Sequence, residues 1–413
     1  MLVNFHLRNF SKYNMARIVI VTTRFPYFYT EAFLEAEYPY LNKSFEEICF
    51  LPLIKGSVRE SCVDAKVYDD YNELYSQKWK KYLVVLTRTD FYRNLWQHKS
   101  KIFCKNRILN TFKQQVHYTI LKDVVLKNKE LFTGDTIVYS YWFNAAVYAF
   151  LKIKEDLGLK YKVVCRAHRF DVYDEDGEMP NRSYCLRKID KVFPISQDAI
   201  DTLTSKYGYE EKFELSRLGV KDYGVINKCS LNGTFHVLSV SQVHPRKRIK
   251  EIHEALLTFA TMNTDVNVVW THFGDGPYFK HLLEFAHTVN VQNFKIECKG
   301  RVPNTEVMSY ISNTRIDVFI NLSTSEGVPV SVMEAQSFGI PVIATNVGGT
   351  SEVMNSDNGI LLSANPTNSE VVEALSKVMR TNYDRERIKE KWNDISNANV
   401  NFPLFVQKLK TII

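Results

Sequence analysis

What most constrains this chain is an alternation of short apolar strand patterns with helical periodicity, carried through almost all of its 413 residues. Apolar runs at 17–22, 48–53, 136–139, 162–166 and 191–195 are separated mostly by helical patterns. A polar stretch without strong periodicity, 222–233, interrupts the series, and the alternation then restarts. Strand patterns follow at 235–240, 266–272, 294–298 and 317–322, with helical patterns at 249–260, 278–288 and 305–312 between them. Strands that alternate with helices imply parallel pairing, because each return crossover needs a helix's length of chain. The expected fold is therefore α/β, with two doubly wound domains in series. Residues 1–222 form the first and 223–395 the second, and a helical tail at 396–413 is expected to pack back on the first domain.

A chain of this length with 45% hydrophobic residues can build two ordinary cores. The seven cysteines are scattered and never spaced Cys-x-x-Cys, which points away from a disulfide framework or a zinc knuckle and toward a reducing cytoplasm. No apolar run reaches the ~18 to 20 residues of a membrane-spanning helix, and residues 1–15 lack the apolar core of a signal peptide. The expected protein is soluble or peripheral, at most lying against the inner face of the plasma membrane. A net charge of +7 permits contact with phosphates, anionic lipid or nucleic acid without choosing among them.

Much of that charge lies between Lys78 and Lys127, where twelve lysines and arginines face only Asp90 and Asp123. Trp79, Tyr82, Phe91, Tyr92, Trp96 and Phe103 are interleaved with them. Such a run is either a face that meets an anionic membrane or a lipid-linked acceptor, or a solvated helix face with its aromatics in the core. No nucleic-acid reader motif accompanies it, so nucleic acid is not expected as a partner.

The richest chemistry lies at 321–349: an apolar strand, a polar loop, a helix starting near Pro329 and ending at Phe338-Gly339, then a second strand running into Gly348-Gly349. Glu326 falls in the loop and Glu334 more than one turn inside the helix. Open α/β sheets bind ligands beyond the carboxyl ends of their strands, and a helix N-terminus carries about half a positive charge. An anionic ligand with hydroxyl groups fits such a place. Ser241 to Arg248 and Phe273-Gly274-Asp275-Gly276-Pro277 also follow strands, so they should reach the same rim. Lys247 or Arg246 could there balance a phosphate. By contrast, the loop 23–29 has no glycine and is not a phosphate cradle, although Thr30 could cap the helix after it.

Together, Ser241 to Arg248, Phe273 to Pro277, Gly300, Glu326 with Glu334, Gly339 to Ala344 and Gly348-Gly349 resemble glycosyltransferase family 4 in order and spacing. The first half resembles it more faintly, through Phe25-Pro26, Glu31-Ala32-Phe33 and Arg166-Ala167-His168. The resemblance implies the GT-B fold, two Rossmann-like domains facing each other across a cleft. It also implies a retaining sugar transfer from a nucleoside diphosphate sugar, UDP by default, to a hydroxyl of a cell-surface glycan or a lipid-linked oligosaccharide. Neither a cofactor nor a metal is expected. Glu326 matches the glutamate beside the donor sugar, Glu334 the one that accepts from the ribose hydroxyls, and Lys247 the lysine on the pyrophosphate. His168 matches a histidine near the sugar. Gly327 and Val328 would offer backbone N–H groups, and Gly274 and Gln242 would line the donor site.

The chain departs from that family at Ser241-Gln242-Val243, where Gly-Arg-Leu is usual, so Arg246 or Arg248 must replace the second phosphate cation, or Lys247 acts with the helix dipole alone. Each site residue also has a bland alternative. Glu326 could close a capping box with Ser323, Glu334 could be an exposed helix residue, and His168 could cap a helix. Asp275 reads as a turn former and Asp174-Glu175-Asp176 as solvated surface. The rival functions are another GT-B enzyme, such as a sugar-nucleotide epimerase, or a non-catalytic nucleic-acid or membrane binder on the same scaffold.

Overall fold

The protein is seen in a computed structural model, which describes residues 17–28, 31–59, 62, 65–96, 105–173 and 179–412. Residues 1–15, Thr30, Lys99, Lys101, Phe103 and Asp174-Glu175-Asp176 lie outside the described residues, as do the side chains of Asp90, Lys105 and Arg107.

Among the described residues, twelve strands form two parallel six-stranded sheets. The first contains β1 (Arg17–Thr22), β2 (Glu47–Pro52), β3 (Lys66–Val67), β4 (Thr136–Ser140), β5 (Lys162–Ala167) and β6 (Lys191–Pro194), in the order β3-β2-β1-β4-β5-β6. The second contains β7 (Thr234–Val240), β8 (Asn267–Phe273), β9 (Phe294–Gly300), β10 (Val318–Asn321), β11 (Val342–Thr345) and β12 (Gly359–Leu362), in the order β12-β11-β10-β7-β8-β9. Both sheets are thus doubly wound, as the alternation predicts. The near-continuous apolar strands follow from helices covering both faces: β1 and β2 each bury their last five residues, and β4 all five of its own.

The chain divides into two compact units. One comprises Met1–Arg166, Gly177–Val192 and Val406–Ile413, the other Ala167–Asp176 and Phe193–Phe405. The polar stretch at 222–233 lies inside the second unit. In that unit, α10 (Ile249–Met262) turns Ile252, Ala255, Leu256 and Phe259 onto the sheet, where Val237, Trp270 and Ile320 are buried with them. Burying such side chains contributes about 1.5–3 kcal/mol each before chain entropy is subtracted.

Between β3 and β4 run α2 (Asp70–Ser76), α3 (Lys78–Leu86), α4 (Thr89–Trp96) and α5 (Lys105–Lys127). Here the charge is less one-sided than the sequence suggests. Lys81 pairs with Asp123, Lys122 with Asp156, and Lys127 with Asp70 and Glu73, so acids outside the run neutralise part of it. The aromatics divide: Phe91 is buried, while Trp79 is 72% and Trp96 67% exposed. No helix of the described residues is long and apolar enough to cross a membrane.

Candidate active site

A doubly wound sheet opens a crevice where its strand order reverses, beyond the carboxyl ends of the two strands that flank the reversal. In the second sheet those strands are β7 and β10. After β7 the chain runs Ser241-Gln242-Val243-His244 into one 3₁₀ turn, Pro245–Lys247, and Arg248 in the left-handed region opens α10. After β10 it runs through 322–329 into α13 (Val330–Ser337), with Pro329 just before the first helical residue. The two loops are joined by the Thr324 N–H, which donates to the Arg246 carbonyl at 2.8 Å.

Across this crevice the Lys247 ammonium donates to Glu326 Oε1 at 2.5 Å, with both side chains mostly buried. Asn321 Nδ2 approaches the same oxygen at 3.4 Å. The capping-box alternative for Glu326 does not form, because Ser323 turns its hydroxyl and its N–H to Asn321 Oδ1 and the Glu326 carboxylate faces Lys247. Gly348 holds the outer side of the loop. It has φ +52, and a Cβ there would stand 1.9 Å from the Glu326 carbonyl oxygen, so only glycine lets the Gly-Gly turn lie against the Glu326 backbone. The Gly349 N–H then donates to the Gly327 carbonyl at 2.7 Å. Among the described residues the N–H groups of Gly327 and Val328 find no acceptor, which leaves two donors beside the helix N-terminus.

Glu334 lies on α13 and accepts from Asn304 Nδ2 at 2.8 Å. Burial pushes its carboxyl up to about 7, against the smaller pull of the Asn304 amide. That pairing spans thirty residues, and no local pattern announces it. Gly274, at φ +133, brings the loop after β8 against the loop after β7: a Cβ there would stand 1.8 Å from the Ser241 carbonyl oxygen. Gln242 is exposed on the same loop. Of the two candidate second cations, Arg248 is tied to the Ala364 carbonyl and the Asn365 side chain. Arg246 instead lies over the ring of Phe170, 5.6 Å from its centroid.

His168 follows β5 and is buried, and its N–H donates to Asp171 Oδ2 at 3.0 Å at the start of the short helix α7 (Arg169–Val172). It therefore stands where a capping residue stands, and the sequence placed it in the first domain. Its segment instead clusters with the second unit, because Arg169 Nη1 donates to Ser325 Oγ at 3.1 Å, one residue before Glu326. Arg169 and Ser325 were not legible as site residues: they are 156 positions apart, and a serine in a polar loop is unremarked.

Lys247, Glu326, the N–H groups of Gly327 and Val328, and Arg246 thus share one rim, with Glu334 on the helix behind it. A cation, two backbone donors and a helix N-terminus suit an oxygen-rich anion, and a carboxylate suits neighbouring hydroxyls.

Comparison with known proteins agrees with this geometry. Residues 230–393 match the family model for glycosyl transferases group 1. A phosphatidylinositol N-acetylglucosaminyltransferase component from Arabidopsis thaliana is 33% identical over 53% of this chain and 49% of its own length. The N-acetyl-alpha-D-glucosaminyl L-malate synthase of Bacillus anthracis is 24% identical over 58% of this chain and 64% of its own. The chain thus spans about half to two thirds of these relatives. Among solved structures, the apo lipopolysaccharide outer core galactosyltransferase WaaB superposes with a TM-score of 0.69 at 13% identity, covering 96% of this chain and 98% of its own. HepE of Anabaena, solved in complex with UDP-glucose, superposes at 0.67 with 14% identity, covering 96% and 100%. Residues 230–393 of this chain thus match the glycosyl transferases group 1 family model, and the chain has the two-sheet α/β fold of the GT-B glycosyltransferases.

Proposed function

We propose that this protein is a retaining glycosyltransferase that moves a sugar from a nucleoside diphosphate sugar, UDP by default, to a hydroxyl of a cell-surface glycan or a lipid-linked oligosaccharide. The observation that carries the reading is the Lys247–Glu326 pair across the second sheet's switch point, with the Gly327 and Val328 N–H groups beside it, which find no acceptor among the described residues. Glycosyltransferase relatives and the UDP-glucose bound to HepE support it.

In the proposed reaction the bond between the anomeric carbon and the diphosphate oxygen breaks while the acceptor oxygen bonds to that carbon on the same face. The acceptor proton passes to the departing phosphate, and no side chain is assigned as its base. Lys247, the Gly327 and Val328 N–H groups and the start of α13 stabilise the charge growing on the diphosphate, with Arg246 as the second cation. Glu326 and His168 orient the donor sugar, and Glu334 accepts from the ribose hydroxyls. Gln242 and Gly274 line the donor's path. The reaction is metal-independent in this reading, so a chelator leaves the rate unchanged.

Acceptor recognition falls to the first unit, and a peripheral contact with anionic membrane to its helices α3 and α4. There Trp79 and Leu83 are exposed beside Lys78 and Lys80, an arrangement of apolar and cationic groups that suits an anionic lipid surface.

The test is calorimetric titration with a panel of nucleotide sugars, followed by transfer to a membrane extract. Binding of a UDP or GDP sugar, with transfer lost in the Glu326→Ala, Lys247→Ala double variant, is the expected result. Failure to bind any of them sinks the proposal, and transfer that survives the double variant sinks the site.

A further inference from the structure

The first sheet reverses its strand order between β1 and β4, so its switch point lies beyond Thr22 and Ser140. Glu31 occupies that point. It stands before α1 (Ala32–Asn42) with φ 57, outside the helix that the sequence had begun at or before it, and its carboxylate turns back toward β1. Oε2 accepts from the N–H groups of Arg24 and Phe25, each at 2.7 Å, and Oε1 from the Thr23 N–H at 3.0 Å. Trp142 Nε1, from the loop after β4, donates to Oε1 at 2.6 Å. Three consecutive backbone N–H groups directed at one anion form the kind of concavity that elsewhere holds a phosphate. In this unit the anion is the protein's own.

Two side chains of the loop so fixed remain exposed. Phe28 takes φ 55, a strained conformation for a bulky residue, and its ring lies over Gly56, where a Cβ would stand 2.6 Å from Cζ. Arg59 holds the Phe28 carbonyl from beneath and lies over the Phe25 ring. The Arg24 guanidinium stands over the Phe28 ring, 5.6 Å from its centroid. A 40% exposed aromatic ring with an exposed guanidinium over it is chemistry for the apolar part of a sugar ring that carries an anionic group.

We propose that the first switch point is the acceptor site, closed to phosphate by Glu31 and built to take an anionic sugar residue, with its ring on Phe28 and its carboxylate or phosphate on Arg24. Glu31 is a positioning residue: it holds the loop 23–28 against Trp142 without touching the ligand. The word acceptor rests on the transfer reading above. The binding site does not.

The experiment is saturation-transfer NMR on the full chain with UDP present in excess to fill the donor site. The probes are methyl β-glucuronide, glucose 1-phosphate and, as a neutral control, methyl β-glucoside. The expected result is a signal from one or both anionic probes at least fivefold above the neutral one. A carboxylate acceptor favours the first probe and a phosphorylated one the second. Phe28→Ala abolishes the signal, and Arg24→Gln removes the preference for charge. In Glu31→Ala the signal falls and returns on addition of formate, which replaces the missing carboxylate among the four N–H donors, a recovery that a merely structural role would not show. Equal signals from all three probes, an unchanged signal in Phe28→Ala and Arg24→Gln, or a Glu31→Ala protein that is folded by circular dichroism and not rescued by formate each overturn the proposal. Calorimetry with UDP-glucose reads the donor site separately: binding there while the sugar probes fail leaves the transfer reading standing and removes only the acceptor site.

Discussion

At the carboxyl end of β1 the Glu31 carboxylate takes four N–H groups, three of them from consecutive backbone residues. Beyond β10 the Glu326 carboxylate takes a lysine, and among the described residues the Gly327 and Val328 N–H groups beside it find no acceptor. Both sheets are wound alike and both place a glutamate at the reversal of strand order. The difference lies in what the carboxylate satisfies. Glu31 meets its donors fully, so an incoming phosphate would have to displace an anion already held by four hydrogen bonds. Glu326 neutralises one cation and leaves the N–H groups beside it open, so in the proposed reaction a diphosphate enters by taking over Lys247. The fold supplies two equivalent crevices, and side-chain pairing decides which of them keeps donors for an incoming anion.

Replacing Lys247 by Ala should do most to break this contrast. We expect kcat/KM for transfer to fall about 10²–10³-fold, the scale on which one preorganised donor to a developing anion acts. Steady-state kinetics with a nucleotide sugar checks it, and a loss under tenfold would show that the second crevice does not depend on its cation.

Glu334 gives the second site a sensitivity to pH. Its carboxyl is raised to about 7 by burial, so in the free protein it gains its charge between about pH 6 and 8. In the proposed donor site, its ionised form accepts hydrogen bonds from ribose hydroxyls more strongly. The Kd for UDP-glucose should therefore fall about tenfold between pH 6 and pH 8 if only the charged form binds well. Calorimetry at the two pH values, with Glu334→Gln expected to give a flat profile, measures the effect. A flat profile in the unmodified protein refutes it.

Glu326→Gln sharpens the comparison further. Losing the counter-ion leaves Lys247 free for phosphate, and an ion pair of this kind is worth about 1 kcal/mol, so UDP should bind roughly fivefold more tightly while transfer is lost. Tighter UDP binding with full transfer would place Glu326 outside the reaction.

The smallest expected effect lies away from both crevices. Trp79→Ser with Leu83→Ser should lower partition onto vesicles containing anionic lipid about threefold, with transfer to a soluble acceptor unchanged. Equal partition of the two proteins in a sedimentation assay would remove the membrane contact.

Much of the second unit was legible in the chain itself. Strand ends fell within a residue or two of their expected places, because a buried parallel strand needs an apolar run whatever surrounds it. The loops at 241–248, 273–277 and 322–329 reached one rim because parallel strands all end on the same side. The first unit was less legible. Glu31 looked like one acid of a helix's first turn, because the sequence shows neither its left-handed backbone nor the indole of Trp142, 111 residues away, that it meets.

By itself, then, the sequence determined the α/β class and the two windings and singled out the glutamates and lysine of the second sheet's rim, since these follow from periodicity and from motifs within a few residues of one another. Only the tertiary structure decided the pairings: Lys247 on Glu326, Asn304 on Glu334, Arg169 on Ser325, and four N–H groups on Glu31. A hydrogen bond depends on distances of about 3 Å between groups that the chain brings together only after the sheets have formed.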